Sequence, residues 1–211
     1  MYVPAVPAQP ALALAPVGIV SAAPPAFAPP AHTGLRVRNA QLNVLEGHPA
    51  TIAGTLRPGL AGKVVTLEGL RNHGWRTLTR TLTGLHGRFK LRYLPRGTGS
   101  AAVRLRFAGD ASDLPARRRL GRLNVYRLAG ASWYGGGGQT ACGGPLTSST
   151  QGVANKTLPC GMLVTLHYGG HTVRVPVIDR GPYVEGREFD LTEATKNALG
   201  FGDTGQVWST N

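Results

Sequence analysis

The chain has 211 residues, with 30 glycines, 16 prolines, two cysteines and a formal net charge of +13 at pH 7. That length holds one large or two small domains, and the scarcity of long helical periodicity points to strands and turns rather than helices. No apolar run is long enough to cross a membrane as a helix, and two cysteines without a close CxxC pair are a poor zinc ligand set. Residues 1–34 carry no charge, and Ala and Pro dominate them. Residues 11–23 read as a weak apolar signal-peptide core, and Ala26-Phe27-Ala28 as a small-residue cleavage site. An export signal or a Pro/Ala linker outside the fold is expected here, and with it a secreted or cell-envelope location.

Residues 35–130 hold 18 Lys and Arg against 4 Asp and Glu. Apolar and basic residues alternate in Arg88-Phe89-Lys90-Leu91-Arg92-Tyr93 and again in Val103-Arg104-Leu105-Arg106-Phe107, the period-2 pattern of half-buried strands. Further strands are expected at 35–44, 50–56, 63–70, 76–82 and 122–127. Turn signals between them include Pro58-Gly59 and Asn72-His73-Gly74. About seven short strands at this spacing predict an antiparallel sandwich. The stretch resembles the immunoglobulin-like modules of bacterial surface proteins. Outward arginines guard strand edges against aggregation and also suit a polyanion. Anionic wall polymers fit that charge; nucleic acid is disfavoured, because neither a base-stacking module nor a recognition helix is visible.

Residues 131–211 hold 5 Lys and Arg against 6 Asp and Glu. Strands are expected at 132–134, 140–142, 163–168, 171–178 and 206–209. Tyr168-Gly169-Gly170-His171 is a tight hairpin signal. A single helix is expected over 193–199, capped by Thr192 and ended by Gly200. Two cysteines in a Gly-rich stretch of this size point to one disulfide, Cys142–Cys160, with two buried free thiols as the alternative. His167 and His171 flank the hairpin and read as surface residues. No metal and no cofactor is expected.

The densest chemistry lies at 179–192, DRGPYVEGREFDLT. Asp179 opens a Gly-Pro turn, and Asp190 precedes the helix. With ASWYG (131–135), TACGG (140–144), ANKTLPCG (154–161) and VRVPVIDRGP (173–182), this succession resembles the rare lipoprotein A (RlpA) family. The resemblance covers essentially all of 131–211. It implies a double-psi β-barrel, shared with expansins and family-45 endoglucanases, and a secreted wall protein acting on peptidoglycan or another wall glycan. Characterised members of that family include peptidoglycan lytic transglycosylases.

The whole chain is therefore expected to be all-β: an immunoglobulin-like β-sandwich at 35–130 followed by a six-stranded double-psi β-barrel at 131–211 with one short helix, acting as a monomer. The resemblance makes Asp179 and Asp190 the catalytic acids. Tyr134, Asn155, Arg180 and Tyr183 are expected to bind substrate. Trp208 and Phe201 are assigned to packing, and Arg187 to surface pairing. Gly144 and Asn155 stand where the family commonly has Glu and His, so a titrating carboxylate and an imidazole are replaced by groups that cannot shuttle a proton near neutral pH. Two functions follow: a lytic-transglycosylase-like enzyme, or a non-catalytic wall-binding or expansin-like loosening module.

Overall fold

The computed structural model describes Met1 and residues 29–211; the expected signal core and cleavage site lie outside them. The described residues form an all-β molecule with one α-helix. The strands are β1 (Gly34–Gln41), β2 (Asn43–Leu45), β3 (Ala50–Arg57), β4 (Val64–Arg71), β5 (Gly74–Leu82), β6 (Arg88–Tyr93) and β7 (Gly99–Phe107). They continue with β8 (Ala116–Tyr134), β9 (Val153–Ala154), β10 (Leu163–Tyr168), β11 (His171–Asp179), β12 (Phe189–Thr192) and, after helix α1 (Glu193–Leu199), β13 (Thr204–Ser209).

Two sheets carry residues 34–126. One runs β1-β3-β6. The other runs β5-β4-β7-β8, with β2 added parallel to β8. Alternation makes the packing: in β3 the residues Ala50, Ile52, Gly54 and Leu56 are buried and those between them are not. Ile52, Leu56, Val65, Leu67, Leu91 and Leu105 anchor the resulting core.

A second core holds Ala131, Val153, Val164, Leu166, Val177, Phe189, Leu191 and Val207. Around it the strand order is β12-β9-β11-β10-β13-β8, and β12 also pairs with β8. Both cores share β8, whose first half pairs with β7 and whose second half pairs with β13 and β12. The strands expected separately at 122–127 and 132–134 are thus one continuous strand of 19 residues.

The local signals appear as their chemistry dictates. Gly169 and Gly170 both have positive φ, +56° and +88°, and join β10 to β11 with Tyr168 opposite His171. Thr192 accepts the Thr195 N–H at the start of α1, and Gly200 ends it in the left-handed region. The strand expected at 140–142 is instead a turn, because Gly143 and Gly144 at φ +88° and +93° fold the chain back and Gly143 N–H reaches the Thr140 carbonyl at 3.0 Å.

Candidate active site

Asp190 precedes the helix, as expected, but it lies inside β12, and that placement builds the site. The short strand β9 lies between β11 and β12. Its Ala154 is the register partner of Asp179 in a parallel ladder and of Asp190 in an antiparallel one. On the far side Asp190 is opposite Ser132 of β8. Asp179, Ala154, Asp190 and Ser132 therefore form one cross-strand row. The two acids stand two strand spacings apart, about 10 Å between Cα atoms, with only a methyl group between them.

A bulge is needed for this. Val175 and Val177 of β11 are buried, and a strict period of two would send Asp179 into the same core. The β11–β9 ladder slips between Val177 and Asp179. Such an extra residue re-aims the side chains beyond it, so Asp179 shares the half-exposed face of Asp190.

Each acid has defined partners. Asp179 Oδ1 accepts the backbone N–H groups of Ala141 and Arg180, both at 2.8 Å. Asp190 Oδ1 accepts the Ser132 hydroxyl at 2.6 Å. Tyr134, two residues beyond Ser132, belongs to the same face of β8. Its hydroxyl is buried and has no hydrogen-bond partner among the described residues. Burial first, then the nearby Asp179 carboxylate, then the charge of Asp190 push the Tyr134 phenol well above the usual tyrosine range. Asp179 thus biases this proton without reaching full hydrogen-bonding geometry.

The turn beside Asp179 is braced. The Cys142–Cys160 disulfide, with Cα atoms 5.6 Å apart, ties the 135–146 loop to the 155–161 turn. Cys142 N–H donates to Ile178 and Gly161 N–H to Val177, at 3.1 and 2.8 Å, so the bridge straddles the end of β11. Arg180 donates to the carbonyls of Asn155 and Leu158, at 3.0 and 2.9 Å, and to Cys160 Sγ at 3.1 Å. The buried Asn155 carboxamide accepts the Thr157 and Leu158 N–H groups and donates to the Glu188 carbonyl. Asn155 and Arg180 therefore shape the turn beside the acids, with their polar atoms committed inside the protein.

Tyr183 is 80% exposed, just past the Gly181–Pro182 turn that follows Asp179. Trp208 and Phe201 stand apart: Trp208 packs with Tyr126 and His167, and Phe201 meets Tyr168 edge-on at 5.0 Å. Arg187 makes no ion pair among the described residues, while Arg127 forms a bidentate pair with Glu188. Sequence reasoning passed over Ser132 and Ala154. Both lie inside quoted motifs, ASWYG and ANKTLPCG, but only the strand register gives them a role.

The lytic transglycolase family model matches residues 128–208, the stretch that carries this row of residues. Residues 128–208 thus carry an RlpA-like double-psi β-barrel domain. A probable endolytic peptidoglycan transglycosylase RlpA of Aquifex aeolicus is 43% identical over 75 residues, 33% of each protein. The chain thus spans about a third of that relative's length. A papain inhibitor of Streptomyces mobaraensis is 32% identical over 115 residues, 47% of this chain and 75% of the inhibitor. The solved Streptomyces papain inhibitor superposes with a TM-score of 0.34 at 25% identity, covering 40% of this chain and 92% of the inhibitor. A Cβ added at Gly144 would meet nothing within 4 Å.

Proposed function

We propose that this chain is an exported wall protein whose RlpA-like part binds peptidoglycan glycan strands across the Asp179–Asp190 row and cleaves them without water. The carrying observation is the register of both acids on Ala154, which sets two carboxyl groups on one face. Cleavage needs one protonated carboxyl to give its proton to the glycosidic oxygen as the C1–O bond breaks. The sugar's own 6-hydroxyl then closes on C1 to form a 1,6-anhydro ring, and its proton returns to the carboxylate. Asp190 suits that role, because its partner Ser132 is a hydroxyl able to donate to the ionised acid and to accept from the protonated one. Asp179 Oδ1 is fixed by two backbone donors, and its other oxygen suits the positive charge that develops at C1. Tyr134 and Tyr183 supply a hydroxyl and a ring for the sugar. Asn155 and Arg180 support the turn beside the acids.

The relationship to a papain inhibitor, together with Gly144 and Asn155, favours a second reading: a binding module on the same scaffold without turnover. Incubation with purified peptidoglycan and mass spectrometry for 1,6-anhydro products separates the two. Products that vanish in D190N support the enzyme. No products from intact or peptide-stripped glycan, with glycan binding retained, support the binding module; inhibition of papain with no glycan binding would instead favour an inhibitor.

The order β1-β3-β6 facing β5-β4-β7-β8, with β2 parallel to β8, supports an immunoglobulin-like reading of residues 35–130. The six strands β8 to β13 support a double-psi barrel at 131–211. In this reading the basic first part tethers the second to anionic wall polymers.

A further inference from the structure

Residues 35–130 present two arginine-rich sheet faces, and they differ in how far their charge is already used. On the β5-β4-β7-β8 face the buried Glu68 pairs with Arg104 at 2.6 Å and with Arg106 at 3.6 Å. Arg104 also lies 4.0 Å above the Trp75 ring, and Arg122 is bound to Ser100. Those guanidinium groups have partners. Among the described residues Arg80, Arg117 and Arg119 of that sheet have no carboxylate within ion-pairing distance, and neither has any cation of the β1-β3-β6 sheet. Arg88, Lys90 and Arg92 alternate with buried Phe89 and Leu91 along β6, so three exposed cations form a line with a repeat of about 7 Å. Their neighbours on β3 are Thr55, Ala53 and Thr51, small residues that leave a shallow floor beside the line.

The line ends at a cavity. Where β6 and β5 come side by side, a space of about 580 Å³ is bordered by Arg71, Arg92 and Arg96, with Thr79 and Tyr93 and no acidic side chain. Among the described residues no carboxylate lies within ion-pairing distance of Arg71, Arg88, Lys90, Arg92 or Arg96, and residues 1–34 contain no acid.

We infer that this cavity and the β6 line form a binding track for a linear phosphodiester polymer, with one phosphate held by the Arg71–Arg92–Arg96 cluster and successive phosphates following Lys90 and Arg88. The inference rests on the tether reading above and gives it an address. Guanidinium forks match phosphate oxygens in two-point hydrogen bonds, and a flexible chain carrying a charge at each repeat fits cations set about 7 Å apart. Nucleic acid fits less well. Single-strand binders interleave cations with exposed rings that stack bases, whereas the outward positions of β6 and of its β3 neighbours carry no ring. Edge protection alone accounts for exposed cations on β6, but not for three guanidinium groups converging on one cavity.

The test is binding of a synthetic glycerol phosphate oligomer to the full chain, by calorimetry over a salt series. The R71Q/R92Q/R96Q variant is compared with R80Q/R117Q/R119Q, which removes equal charge away from the cavity. The track predicts a loss of about tenfold or more for the first triple, with the slope of log affinity against log salt reduced by about 2, and a loss under threefold for the second. R88Q/K90Q should fall between them. Melting curves check that each variant is folded. Equal losses from both triples would overturn the track and leave a diffuse tether. Tighter binding of oligothymidylate or polyglutamate than of the phosphate oligomer would overturn the ligand class. No binding by the unmodified chain would remove the tether and the track together, while leaving the glycan-cleavage assay untouched.

Discussion

Tyr134 is the residue whose role separates most cleanly from stability. Its buried hydroxyl makes no hydrogen bond among the described residues, so Tyr134→Phe removes nothing the fold uses. Deleting an unsatisfied buried hydroxyl is neutral or stabilising, within about 1 kcal/mol. If the hydroxyl waits for a ligand oxygen beside Asp179, glycan-fragment affinity should fall about five- to tenfold while the melting temperature holds. A drop in stability with unchanged binding would assign Tyr134 to packing. At the acids, Asp190→Asn should reduce 1,6-anhydro product formation by a factor of about 10² to 10⁴, the usual worth of a general acid. Ser132→Ala should act in the same direction but more weakly, since it removes only the partner of that carboxyl. Product rates from purified sacculi measure both. Ser132 and Ala154 were in plain view as letters of motifs. Their positions beside Asp190 depend on pairings between residues 58 and 36 positions apart, which no local pattern encodes.

At the scale of elements, the bridged turn and the helix cap carry separate tests. The disulfide closes a loop with a sequence separation of 18, and loop-closure entropy for that length is about 3 kcal/mol. The paired C142S/C160S variant should lose roughly that much in denaturant unfolding. It should also bind glycan less well, because the bridged turn borders Asp179. Thr192 is a cap with a second duty. Its hydroxyl accepts the N–H of Thr195 and exchanges hydrogen bonds with the backbone of Gly152. Thr192→Ala should cost about 1–2 kcal/mol, and Thr192→Ser should restore most of it. The helix and the β10–β11 hairpin were legible because their signals are local: a capping hydroxyl, a terminal glycine and a Gly-Gly turn. The strands β9 and β12 were not. At two and four residues they are too short to show a period, and they exist because partners on both sides supply their hydrogen bonds.

For the whole molecule, β8 is the common beam. Where it passes from one core to the other, Tyr126 stacks on His167 at 5.7 Å, and Trp208 lies 5.8 and 5.1 Å from these two rings. Burial pushes the Tyr126 phenol up to about 12, so it stays neutral at ordinary pH. Burial, aided by the charge of His171, pushes the His167 imidazole below its ordinary value, although a bond with the His171 backbone opposes this. Between that lowered value and about 6.5 the unfolded chain binds more protons than the folded one, so stability rises with pH. The contribution is present above about pH 6.5 and lost as pH falls toward the folded value. Melting temperature should therefore drop between pH 7.5 and 5.5, and His167→Asn should shrink that drop. An unchanged drop in the variant would place the titration elsewhere.

By itself the sequence determined the β character, the hairpin, the single capped helix, the uneven charge and the family of residues 131–211. Each of these is written in neighbouring residues or in an ordered series of motifs. It left Asp179 and Asp190 as two acids eleven positions apart, one on a turn and one before a helix. Only the tertiary structure set them opposite the same alanine, because the bulge in β11 and the existence of β9 and β12 arise from pairings between distant strands. The same holds for the arginines of residues 35–130. Their number is a matter of composition, but which of them are already paired with Glu68 and which converge without a counterion is decided by how the two sheets fold.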